Sequence, residues 1–181
     1  MMGDYCCGSV CATPVNGGSV VQLKFLRKSL LYDIGNSAYV ESDVMGDDAE
    51  HSRHVTADVC ESGNVDRVTR VIDMGVNVVR ELLYPMTKRE AVSTVLDDRH
   101  EDVDEWVIEL KVPKDMSGTT LDLLSRLIHE YLVCRALGDW LGVTYPQASA
   151  KWLEKAAGLE DEIARVRNHR RKVLTRRTWP W

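Results

Sequence analysis

Four clusters in this sequence carry side chains able to do chemistry. His51 and His54 have two residues between them, with Cys60 and Glu61 behind. Imidazole, thiolate and carboxylate are all zinc ligands, and this spacing resembles half of a zinc site. A tetrahedral site needs a second pair, and no matching pair follows. The two histidines are therefore read as exposed residues on a short helix. Cys6, Cys7 and Cys11 crowd the first eleven residues, again with no His or second Cys pair nearby. Asp43, Asp47 and Asp48 lack the ordered acid–Gly–Glu register of a calcium-binding loop. His129-Glu130-Tyr131 suggests acid–base catalysis. However, neighbours on a helix diverge by about 100°, and no nucleophile motif completes a triad. A surface ion-pairing role is expected for His129 and Glu130. The sequence has no Walker or dinucleotide-type glycine pattern. No enzyme activity, cofactor or metal site is expected.

The charge distribution is more informative. The chain has 181 residues and a net charge of −5. Its last stretch, 165–181, holds Arg165, Arg167, Arg170, Arg171, Lys172, Arg176 and Arg177 and no acid, which leaves the remaining residues at −12. A basic tail on an acidic body points to an acidic partner, either nucleic acid or a neighbouring subunit's acidic face. Trp179 and Trp181 flank Pro180 at the tip. Two terminal indoles cost solubility unless they dock, so the tip is read as an anchor. The five cysteines are an odd number, which argues against a disulfide framework and for synthesis in a reducing compartment. The apolar share of 44% supports a packed core. No run of about 18 apolar residues suggests a membrane span, and the N-terminus does not read as a signal peptide.

The elements that position these residues follow from periodicity. Residues 1–20 are read as a flexible lead-in. Val21–Val40 places Leu23, Leu26, Leu30, Leu31, Ile34 and Ala38 on one helical face, with Lys24, Arg27 and Lys28 opposite. The acidic stretch Glu41–Glu61 is expected to be a solvated loop or a patch facing a basic neighbour. Asn64 is expected to cap a helix over Val65–Leu83, where Gly75 in the apolar stripe predicts close approach by another helix. A short strand is expected at Ala91–Leu96. A clearer one is expected at Glu105–Val112, where Trp106, Ile108, Leu110 and Val112 share one parity. Ser117 or Thr119 should cap a helix reaching Gly142. It is apolar around most of its circumference, which suits a central or intersubunit position. After the break at Gly142–Pro146, a helix over Gln147–Val166 should pack back antiparallel. The expected fold class is mainly α: a small helical bundle with a long antiparallel helix pair, a short inserted strand or hairpin and an extended C-terminal arm. The expected organisation is a lead-in (1–20), a helical domain (21–166) and a basic, aromatic-tipped arm (167–181).

The helix LLSRLIHEYLVCRALGDWLG, the turn and helix TYPQASAKWLEKAAGLEDEIARV, and the tail RNHRRKVLTRRTWPW together resemble a head–tail connector (adaptor) protein of tailed bacteriophages. The likeness covers roughly residues 21–181 and rests on architecture and sequence character, not on a diagnostic motif. It implies a ring-forming structural subunit of the virion neck, assembled in the bacterial host cytoplasm. Its partners would be copies of itself in a ring, typically of twelve, the portal protein, further neck or tail proteins, and packaged DNA passing through without sequence-specific recognition. Arg167, Arg170, Arg171, Lys172, Arg176, Arg177, Trp179 and Trp181 would be the partner-binding residues of the arm. The Cys-rich start and the acidic 41–61 segment have no counterpart in that pattern. The competing reading is a small nucleic-acid-binding protein that uses the same basic tail.

Overall fold

A computed structural model describes residues 11–15, 18–45, 50–88, 103–114 and 116–168. Among these residues the fold is mainly α, with five helices and a three-stranded antiparallel sheet in the order β1-β2-β3. The strands are β1 (Cys11–Val15), β2 (Gly18–Leu26) and β3 (Glu105–Val112). The helices are α1 (Arg27–Val44), α2 (Glu50–Ala57), α3 (Ser62–Leu82), α4 (Gly118–Thr144) and α5 (Pro146–Arg167).

The centre is α4. Leu124, Ile128, Tyr131, Leu132, Leu137 and Leu141 are all fully enclosed. A helix apolar on nearly every side is stable only where other elements surround it, and α1, α2, α3 and α5 all pack on α4. Ser117 is its N-cap, its hydroxyl accepting the Thr120 backbone N–H at 3.2 Å. That bond satisfies one of the amides a helix start leaves open. Only Tyr145 separates α4 from α5, and Pro146 opens α5, where its missing N–H costs nothing. The short joint forces the expected antiparallel pairing. Ser149 donates to the Gly138 carbonyl at 2.8 Å near the turn, and Tyr131 donates to Glu160 at 2.7 Å further along.

The sheet differs from the sequence expectation. Val21–Val40 is not one helix: β2 occupies its first six residues, and the helix starts at Arg27. In β2, Val21, Leu23 and Phe25 are buried, and they pair with Leu110, Ile108 and Trp106 of β3. All six face the core on a period of two, as a half-buried antiparallel sheet requires. The expected lead-in also contributes structure, since Cys11–Val15 pairs with β2 as β1. The sheet sits on α3: Trp106 donates its indole N–H to Asp73 at 3.0 Å, and Arg80 donates to the Val107 carbonyl at 3.1 Å. The acidic stretch is largely helical, divided between the end of α1, α2 and a 3-10 turn at Asp58–Cys60. The strand expected at Ala91–Leu96 lies outside the described residues.

Candidate functional site

The side chains that suggested chemistry are held apart by the helices that carry them. His129, Glu130 and Tyr131 point at three different partners. His129 Nε2 lies 2.7 Å from Asp33 of α1, Lys155 of α5 donates to Glu130 at 2.5 Å, and the Tyr131 phenol donates to Glu160. The first is a helix–helix hydrogen bond and the second a helix–helix ion pair. His51 and His54 are exposed on α2, while Cys60 turns away and donates to the Leu31 carbonyl of α1 at 3.2 Å. Among the described residues, no three His, Cys, Asp or Glu side chains converge as a ligand set.

The acidic groups that are buried are held protonated. Burial pushes the Cys134 thiol up to about 11. Tyr131 is pushed up to about 12, first by burial and then by its hydrogen bond to Glu160. Burial also raises the Cys60 thiol. A neutral thiol is a poor nucleophile. The contact with Glu130 raises Lys155 and so secures its charge.

A groove of about 520 Å³ lies between α3, α4 and α5. Gly138 and Ala156 form part of its floor. A Cβ at Gly138 would lie 2.5 Å from Leu153 Cδ2, so glycine there sets how closely α5 can approach. Two ion pairs bracket the groove: Arg67–Asp139 at 2.9 Å and Arg135–Glu160 at 3.7 Å. Arg135 also donates to the Tyr131 phenol at 2.9 Å. Met74, Val143 and Leu153 remain exposed along it. An apolar channel with paired charges at its edge suits a protein segment better than a small polar substrate.

A second exposed apolar feature runs along the outer side of α1, where Tyr32, Tyr39, Val40 and Val44 face solvent. In the sequence, Lys24, Arg27 and Lys28 mark that side as polar. The available signal was the spacing of seven residues between the two tyrosines, which places them on one helical stripe.

Of the partner-binding residues expected in the arm, the described residues include Arg167. It is the last residue of α5, not the start of an arm. Its guanidinium donates to the carbonyls of Leu82 and Tyr84 and ties the end of α5 to the end of α3. Helix α5 thus extends through Arg167, and Arg167 itself is used within the chain. Arg170, Arg171, Lys172, Arg176, Arg177, Trp179 and Trp181 lie outside the described residues. Among the described residues, no helix is long and apolar enough to cross a membrane. Compared with protein-family models, curated proteins and solved structures, the chain matches none.

Proposed function

We propose that this chain is a structural subunit of a tailed-phage neck, which forms a homo-oligomeric ring, binds the portal and lines the DNA channel. The observation that carries the reading is the α4–α5 pair. A central helix apolar around its circumference turns back as α5, whose end is fixed to α3 by Arg167. The basic, tryptophan-tipped segment therefore starts from a fixed point on a rigid body. The net charge of −12 outside 165–181 supports the channel role, because like charge discourages DNA from sticking to the wall. The groove between α3, α4 and α5 adds a face of the right character for a neighbouring subunit.

The test compares the full chain with one ending at Asn168, each mixed with the portal ring of the same phage. The full chain should co-sediment with the portal as a multimer, and the shortened chain should lose that binding. Equal binding by both would remove the arm from the mechanism. The nucleic-acid reading draws on the same basic tail. It requires duplex binding that weakens steeply with salt, with a log–log slope of about −0.9 per phosphate contact. No binding at low salt would reject it.

A further inference from the structure

The outer face of α1 carries apolar and charged side chains that nothing among the described residues covers. Along this helix the exposed positions are Lys28, Ser29, Tyr32, Asn36, Tyr39, Val40, Asp43 and Val44, one continuous stripe. Tyr32 is 73% exposed, Tyr39 63%, Val40 56% and Val44 78%. The opposite face is closed into the core through Leu30, Ile34 and Ala38. A helix apolar on both faces is normally covered on both, and aromatic residues are enriched where proteins associate.

The order of residues in the stripe identifies the occupant. Lys28, Tyr32, Tyr39 and Asp43 are arranged symmetrically about the Gly35–Asn36 peptide. At about 100° per residue, all four fall within about 30° of a single line along the helix. In an antiparallel pair centred there, Tyr32 stands opposite the partner subunit's Tyr39, and Lys28 stands opposite the partner subunit's Asp43. Each contact occurs twice. Asn36 lies exposed at the centre, where two helices approach most closely, while Gly35 turns toward Cys60, whose Sγ would lie 2.9 Å from a Cβ built there.

The charges favour the same arrangement. The first turn of α1 has no acid and the last turn no base. Lys28 stands at the positive end of the helix dipole and Asp43 at the negative end, which is unfavourable for an isolated helix. An antiparallel neighbour supplies the opposite charge and the opposite dipole at both ends. Asp43 already lies 3.6 Å from Arg53, yet its side chain is 70% exposed and stays accessible.

We infer that the α1 outer face is a two-fold, self-complementary interface between two copies of this chain. The inference does not rest on the connector reading: a ring joins two different faces, whereas a two-fold pair uses one face twice.

Charge reversal tests it on the full chain. Lys28→Glu sets two acids opposite each other at both ends of the pair, and Asp43→Lys sets two bases opposite. Each variant should self-associate at least about tenfold more weakly than the parent. Mixing the two variants in equal amounts restores opposite charges at both ends and should recover the parent's affinity. Thermal melts of the same samples check that the variants are folded. A second measurement uses Asn36→Cys. At an interhelical distance of about 8–10 Å, this position comes within disulfide reach of its own copy. The variant should form a disulfide-linked dimer under mild oxidation that the parent, with its own five cysteines, does not form. A parent that stays monomeric at about 100 µM, folded charge variants that associate as the parent does, or a mixture that fails to recover would each overturn the inference. An assembled oligomer in which Asn36→Cys does not cross-link would do the same.

Discussion

Gly75 of α3 lies so close to Leu132 of α4 that a Cβ built on the glycine would sit 2.8 Å from the leucine Cδ2. Leu132 is fully enclosed, with Tyr131 and Arg135 beside it. The missing side chain is thus what lets α3 lie against the central helix. Gly158 of α5 is the contrasting case, exposed and with open space around it.

The two glycines should respond in opposite directions. Gly75→Val overpacks the α3–α4 contact and should cost about 1–3 kcal/mol. Gly158→Ala should raise stability by up to about 1 kcal/mol, because alanine is the better helix former. Urea unfolding of both variants beside the parent checks the pair.

Alkaline pH should destabilise the fold. Cys134 titrates at about 11 in the folded chain against 9.0 ordinarily, and Tyr131 at about 12 against 10.0. Both folded values are raised, so the native state holds these protons more tightly than the unfolded chain does. Their stabilisation is complete below pH 9, and it is lost as pH climbs through the folded values. Urea midpoints measured from pH 7 to 11 should be insensitive to these two groups up to about 9 and fall beyond it. Cys134→Ala should make the decline shallower.

Trp140 offers a test of the α2 anchor. Its indole N–H donates to the Thr56 carbonyl at 3.0 Å in a buried setting. Trp140→Phe keeps most of the apolar contact but leaves that carbonyl without its donor. The expected cost is about 1–3 kcal/mol. Amide exchange should quicken in α2 more than in α5.

Arg167 should behave as a structural residue. Arg167→Ala removes the donors to Leu82 and Tyr84 and should lower stability by about 1.5–3 kcal/mol, the range for hydrogen bonds to a charged group. The local signature is faster exchange at the ends of α3 and α5, measured on the free protein with no partner present.

The sequence alone was enough for the elements whose information is local. α4 and α5 follow from their periodicity, Ser117 from its capping position, β3 from its parity, and the intimacy of α3 and α4 from one glycine in an apolar stripe. Divergence along a helix already separated His129 from Glu130. The site was less legible: the tail stood out by charge, but the groove did not, because its residues come from three helices and meet only on packing. Arg167 looks like part of a basic run in the sequence, and only its hydrogen bonds to the carbonyls of Leu82 and Tyr84, the latter 83 residues away along the chain, give it a different role. β2 shows the limit most clearly. Leu23, Leu26 and Leu30 fit a helical face, while Val21, Leu23 and Phe25 fit a strand, so the local pattern permits both. Pairing with Trp106, Ile108 and Leu110 decides the matter. That partner strand lies some eighty positions along the chain, and backbone hydrogen bonds across such a distance exist only once the tertiary structure has formed.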